Sequence, residues 1–197
     1  MKIVLATSNA HKVEEVRDIM SDFDCEIIST KDAGCSMEGV IENGKTFMDN
    51  AIIKAKFVCE KTGLPAMADD SGLEVDFLNG EPGVYSARYM GEDTSYDLKN
   101  KNIIERVKDA KGSERSARFV CAIAVVFPSG EILTSFGTIE GEVAYEQKGK
   151  NGFGYDPIMY VKELGKTTAE LSSEEKNAIS HRGKALKQMK EKLLNMM

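Results

Sequence analysis

Apolar and polar positions along the chain alternate between two periods, and the switches divide it into strands and helices. Lys2 to Ala6 is a short β-type run that breaks at Thr7-Ser8-Asn9 into a helical stripe of Val13, Val16, Ile19 and Met20. Cys25 to Ser29 reads as a second strand. A polar loop carrying Glu38 and Glu42 follows. Thr46-x-x-Asp49 then opens a helix in the capping-box pattern, with Phe47, Ala51, Ala55 and Val58 on one face and a stop at Gly63 and Pro65. Leu64 to Ala68 is apolar, and Leu73, Val75 and Phe77 alternate with Glu74 and Asp76 up to Asn79-Gly80, the pattern of a strand entering a tight turn. A helix is predicted from Ser95 to Ala110, started by Thr94-x-x-Asp97 and stopped at Gly112. Phe119 to Phe127 is apolar on both faces and reads as a central, fully buried strand. Ile132 to Phe136 and Thr138 to Tyr145 read as two more strands. Ser172-x-x-Glu175 caps a C-terminal helical segment whose inward face is Leu186, Met189, Leu193 and Met196. Parallel-type strands separated by helices, plus an antiparallel meander, predict a mixed α/β sheet.

Composition narrows the class. With 197 residues and 42% hydrophobic content the chain can fill one core, so a single domain over residues 1–197 is expected. A net charge of -6 argues against a nucleic-acid or anionic-membrane binder, because both rely on a broad excess of Lys and Arg. The Phe119–Phe127 run is about half the roughly 20 residues needed to span a bilayer. The apolar segment at the N-terminus is too short for a secretory signal. Cys25, Cys35, Cys59 and Cys121 are dispersed, with no CxxC pair and only His11 and His181 to complete a zinc set. Cys59 and Cys121 fall in apolar patterns and read as core thiols, so a reducing cytoplasm is expected.

Three stretches carry chemistry. Asp69-Asp70 follows an apolar run and precedes Ser71-Gly72. Adjacent carboxylates resist ionising together unless a cation or hydrogen-bond donors sit between them, so a divalent-metal site at a strand end is one reading and a solvated turn the other. In a regular strand neighbours face opposite ways, so either one of the two faces the site or the strand has already ended. At Thr7-Ser8-Asn9, Ser8 or Asn9 caps the helix, leaving first-turn amides and the positive dipole end as an anion site. Lys12 in that first turn opposes the dipole and is better explained by an anionic ligand. Gly149-Lys-Asn-Gly152-Phe-Gly154-Tyr-Asp-Pro157 sets Phe153 and Tyr155 among permissive glycines, which suits stacking of a flat ligand, with Asp156 as an acceptor. Arg88 suits phosphate. Lys54 and Glu42, taken singly, read as solvated surface residues. Ser180-His-Arg-Gly183 interrupts a helical pattern, which singles out His181 and Arg182 over Lys187 and Lys190.

Six stretches together resemble the inosine triphosphate pyrophosphatase family in its order: Thr7-Ser-Asn-Ala-His-Lys12, Asn43-Gly-Lys-Thr-Phe-Met-Asp-Asn-Ala51, Ala68-Asp-Asp-Ser-Gly-Leu73, Pro82-Gly-Val-Tyr-Ser-Ala-Arg88, Gly152-Phe-Gly-Tyr-Asp-Pro157 and Ser180-His-Arg-Gly183. The resemblance implies an α/β fold with a long mixed central sheet flanked by helices, two lobes with an active-site cleft between them, and a homodimer. It implies Mg2+-dependent hydrolysis of ITP, dITP and XTP to the nucleoside monophosphate and pyrophosphate, clearing them from the nucleotide pool. On this reading Thr7, Ser8, Asn9, Ala10, His11 and Lys12 hold the triphosphate, with Lys12 and Lys54 neutralising it. Glu42 and Asp70 hold metal, with Asp69 a further candidate ligand, and Asp70 also activates the attacking water. Ser71 touches substrate, Phe153, Gly154, Tyr155 and Asp156 hold the base, and Lys176, His181 and Arg182 complete the purine site. Two positions depart from the family pattern: Asp49 stands where Glu is expected, and Gln147-Lys148 where proline is common. The competing reading is a binding module, either a nucleotide sensor or a Mg2+-binding phospho-acceptor regulatory domain. The regulatory version expects its paired acids near the N-terminus of a shorter chain.

Overall fold

The computed structural model describes residues 1–196. Its strands are β1 (Lys2–Leu5), β2 (Glu26–Ser29), β3 (Ala66–Val75), β4 (Ser116–Val126), β5 (Ile132–Val143), β6 (Met159–Val161) and β7 (Lys166–Thr167). The α-helices are α1 (Ala10–Met20), α2 (Phe47–Thr62), α3 (Tyr96–Arg106), α4 (Ser173–Ile179) and α5 (His181–Leu194). Among the described residues the strands form one sheet in the order β2-β1-β3-β4-β5-β6-β7. β1 pairs parallel with β2 and β3, while β5, β6 and β7 pair antiparallel, so the sheet is mixed and the fold is α/β.

The capping signals act as the sequence suggests. Thr46 Oγ1 accepts from the Asp49 amide and Asp49 Oδ2 from the Thr46 amide, each at 3.1 Å, so Asp49 closes the first turn of α2. Ser172 and Glu175 do the same for α4. Leu186, Met189 and Leu193 on α5 are fully buried, whereas Met196, read as inward-facing, is exposed beyond the helix end.

The chain divides into two compact units. One comprises residues 1–70, 121–137 and 182 onward; the other comprises 71–120 and 138–181. The first has a core of Ile3, Leu5, Val16, Met67, Ile123, Leu186 and Met189, among others. The second has its own, with Leu73, Val75, Ile103, Phe119, Ile139, Tyr155 and Ile158. Each fully buried aliphatic side chain contributes about 1.5–3 kcal/mol. The division falls inside β3, β4 and β5, so neither unit is a continuous piece of chain.

Two expectations change, and one of the two options left open at the acidic pair is selected. β3 does not stop at the acidic pair but runs through Asp69 and Asp70 to Val75. After it, a 3-10 turn at Asp76–Leu78 leads to Asn79 with φ 54°, so Phe77 lies outside the strand and is 45% exposed. The two strands expected after Gly130 are one, β5, because its inward positions 135 and 137 are Ser and Gly while Phe136 faces out. The hydrophobic alternation is inverted there without the strand breaking.

Gly72 is fixed by a close approach. A Cβ at this position would lie 2.3 Å from Ser86 Oγ and 2.8 Å from the Gly83 carbonyl oxygen. Ser86 cannot simply turn aside, because its hydroxyl donates to Gly83 O at 2.6 Å and accepts from the Leu73 amide at 2.9 Å. Gly72→Ala is therefore expected to destabilise by about 1–3 kcal/mol, the usual range for overpacking. The urea midpoint checks this, and an unchanged midpoint would show that Ser86 yields freely.

Candidate active site

Within the first unit, the β1–α1 turn is organised by Asn9. Its Oδ1 caps α1 by accepting from the His11 and Lys12 amides at 3.0 and 3.3 Å, and its own amide donates to Thr7 Oγ1 at 3.2 Å. Two of the first-turn amides expected to face an anion are thus engaged by a side chain. Ser8, Ala10 and His11 are exposed on this turn. A shallow, open hollow of about 530 Å3 lies beside it, lined by Ser8, Thr30, Lys31 and Ser36 among others.

The acidic pair separates because β3 is regular through it, so consecutive side chains take opposite faces. Asp69 is 1% exposed. Arg182 Nε donates to its Oδ2 at 2.7 Å, Lys12 Nζ to its Oδ1 at 2.6 Å, and the Cys121 thiol reaches Oδ2 at 3.1 Å. Arg182 also donates to Glu15. Full burial would raise the Asp69 carboxyl, but the charges of Arg182 and then Lys12 outweigh it and hold it well below the usual carboxylate range. Both Asp69 oxygens are spent on these cations, which disfavours it as a metal ligand and makes it the residue that holds Lys12.

Asp70 meets a different set. Lys54 Nζ lies 2.8 Å from its Oδ1 and 3.0 Å from Glu42 Oε2, and Asn50 Nδ2 donates to its Oδ2 at 3.2 Å. Asn50 Oδ1 in turn accepts from the Gly44 amide at 2.8 Å, tying the Glu42 loop to the same point. Lys54 is therefore not a solvated surface residue: its side chain is 8% exposed between two carboxylates. Burial pushes the Asp70 carboxyl above its ordinary value, and Lys54 only partly offsets this. The Lys54 ammonium is raised, burial being outweighed by Asp70 and Glu42.

Within the second unit, Asp156 organises the glycine–aromatic loop. Its Oδ2 accepts from the Phe153 amide at 2.8 Å and Lys176 Nζ at 2.6 Å, and its Oδ1 accepts from Thr168 Oγ1 at 2.7 Å. The carboxylate read as an acceptor for a ligand is thus largely occupied in shaping the loop. Gly152 has φ +70°, and a Cβ there would lie 2.1 Å from Asp156 Oδ2, so no other residue fits without breaking this arrangement. The two aromatics differ. Tyr155 is 4% exposed, donates its hydroxyl to Ser86 O at 2.8 Å and meets Tyr96 edge-on, which makes it a core residue and not a stacking platform. Phe153 is half-buried with Lys176 Nζ 5.0 Å from its ring centre. His181 is buried against the Phe119 ring at 4.9 Å. Ser71 is half-buried in β3 next to Asp70. Arg88 stacks on Tyr85 at 5.0 Å. Arg182, expected to join the purine site, places its guanidinium on Asp69 and Glu15.

Sequence reasoning missed Glu15, Asn50 and Thr168. A signal existed for Asn50: it stands four residues before Lys54, so the two share one face of α2.

A sequence model described as the Ham1 family matches residues 3–192. The dITP/XTP pyrophosphatase of Clostridium perfringens is 46% identical, over 98% of this chain and 97% of that protein. The protein of the same name from Thermus thermophilus is 47% identical, over 97% and 91%. Among solved structures, a HAM1 protein from Coxiella burnetii superposes with a TM-score of 0.89 at 43% identity, covering 99% of both chains. The Staphylococcus aureus Ham1 protein gives 0.87 at 39%, covering both chains in full. By its matched length and this degree of identity, the chain belongs to the Ham1 family.

Proposed function

We propose that the chain hydrolyses purine nucleoside triphosphates with altered bases (dITP, ITP and XTP) to the nucleoside monophosphate and pyrophosphate. The observation that carries the reading is the convergence of Asp70 and Glu42 on one cationic point, now held by the Lys54 ammonium at 2.8 and 3.0 Å. The names of the curated relatives agree with it.

These residues fit Mg2+. No group of three or more His, Cys, Asp or Glu among the described residues could hold a metal by itself. Mg2+ characteristically takes one or two carboxylates and completes its shell with water and substrate phosphates. Glu42 and Asp70 are the two that would hold it, and bound there it would supply charge stabilisation for the phosphates. Asp70 accepts the proton of the attacking water as the bond between the α- and β-phosphates breaks and pyrophosphate leaves. Lys12, held by Asp69, and Lys54 balance the triphosphate charge. Phe153 offers the base a face for stacking. Lys176 and His181 supply donors to a 6-oxo group. A 6-amino group in its place would leave them unpaired, at roughly 1–3 kcal/mol per buried group.

A panel of dITP, XTP, ITP, ATP and GTP tests the reading. Rates on dITP and XTP should exceed that on ATP by at least about tenfold; equal rates would remove the base selectivity, and tight binding without turnover would favour a sensor. Chelation with EDTA should abolish hydrolysis and added Mg2+ restore it, and metal-independent turnover would remove the metal role from Glu42 and Asp70. The reading includes a homodimer, for which exposed Phe77, Tyr85, Met90 and Leu98 offer apolar surface. It also includes a cytoplasmic location, consistent with four free cysteines. No helix among the described residues is long and apolar enough to cross a membrane.

A further inference from the structure

We propose that Asn100 and Gln147 form a positioning chain that sets the Gly154 carbonyl, and through it the pose of Phe153, so that both residues act on base selection; this rests on the purine-site reading above. Asn100 lies on α3 and is 1% exposed. Its Nδ2 donates to the Gly154 carbonyl at 3.1 Å and to Gln147 Oε1 at 3.2 Å. Gln147 Nε2 donates onward to Asp97 Oδ1 at 3.0 Å, and Asp97 Oδ2 is held by Lys101 at 2.7 Å. Every link has one polarity. Turning the Asn100 amide over would set its oxygen against two acceptors, so Gln147 fixes which end of Asn100 faces the loop. Asn100 Oδ1 meets no protein donor among the described residues. The burial of this amide is thus offset on its donor side alone, where an apolar residue of similar size would carry no such cost.

The loop needs this support. Gly152 and Gly154 both have positive φ, +70° and +68°, in a region where glycine moves freely and other residues do not. Phe153 sits between them. Its own amide is tied to Asp156 Oδ2 at 2.8 Å, and the next carbonyl along is tied to Asn100, so the ring is held from both sides. The first turn of α3 also covers Gly154, where a Cβ would meet the Tyr96 ring at 3.6 Å. With the Asn100 link broken, Phe153 keeps one anchor and gains the freedom of its glycine neighbours. The effect should fall on base binding and leave the chemistry at Asp70 unchanged.

Asn100→Asp is the sharpest test, because it keeps shape and volume but places an oxygen against the Gly154 carbonyl and Gln147 Oε1. Steady-state kinetics on dITP and dATP should show KM for dITP raised about tenfold, kcat held within about twofold, and the preference for dITP over dATP reduced. Gln147→Ala should move KM the same way by about threefold, and should add nothing in an Asn100→Ala background. General destabilisation would not move the base preference in this manner. Should Asn100→Asp fail to fold, Gln147→Ala on its half-buried side chain decides: raised KM at unchanged kcat supports the chain, and wild-type KM overturns it. An active wild type whose variants keep its KM and preference overturns this inference alone. A wild type that does not hydrolyse dITP overturns the functional reading and this inference with it.

Discussion

Asp70→Asn is expected to lower turnover of dITP by about 10²- to 10⁴-fold, the range for removing a positioned general base, while the protein stays folded. Asn keeps the shape and its oxygen can still accept from Lys54, with its Nδ2 then set against the Asn50 Nδ2 donor, but it accepts no proton and binds a cation poorly. Stability should fall by no more than about 1–3 kcal/mol, the cost of the one unsatisfied buried donor. Burial already disfavours the ionised carboxylate at this position, and Lys54 retains Glu42 at 3.0 Å. Measuring kcat and the urea midpoint on the same preparation separates the two effects. Wild-type turnover would remove Asp70 from the base role, and gross unfolding would make it a structural residue instead.

Asp69→Asn is expected to act first on stability, costing about 3–5 kcal/mol by leaving a buried guanidinium under-compensated. Arg182 is 1% exposed, with Asp69 on one side and Glu15 on the other. The pH dependence follows from the same pair. The folded-state value of Asp69 is depressed, so its contribution is present above the unfolded value near 3.9 and is lost as pH falls through the folded value. Urea midpoints recorded from neutral to acid pH should therefore converge for wild type and Asp69→Asn as the acid limit is approached. A constant offset between them at all pH values would contradict the assignment. Pairing Asp69→Asn with Arg182→Met should recover part of the loss, because the unpaired charge leaves together with its partner.

Much of this was legible in the residues themselves, and the failures have physical causes. The helix starts at Asn9, Thr46 and Ser172 were readable because capping is local chemistry. The opposed facing of Asp69 and Asp70 was one of two options set by strand geometry, and regular pairing of β3 selects it. Taken singly, Lys54 reads as solvated, because a lysine off the apolar stripe of a helix ordinarily is; only the fold brings Glu42 and Asp70 to it. The glycine-rich setting of Tyr155, the broken helical pattern at Arg182 and the family resemblance point both to the ligand, whereas tertiary contacts engage them with Ser86, Tyr96, Asp69 and Glu15. Long-range ion pairs of this kind leave no periodic trace in sequence. The merged strand β5 shows the complementary limit, since a period-2 pattern becomes invisible where the inward residues are Ser135 and Gly137.

The proposed reaction is cleavage between the α- and β-phosphates of a purine triphosphate with an altered base. Its most direct test is phosphorus NMR of the wild-type protein with dITP and Mg2+, recorded from the first turnovers. Pyrophosphate and dIMP are expected in equal amounts, with no early orthophosphate. Orthophosphate and dIDP as the first products would place the attack at the γ-phosphate and contradict it.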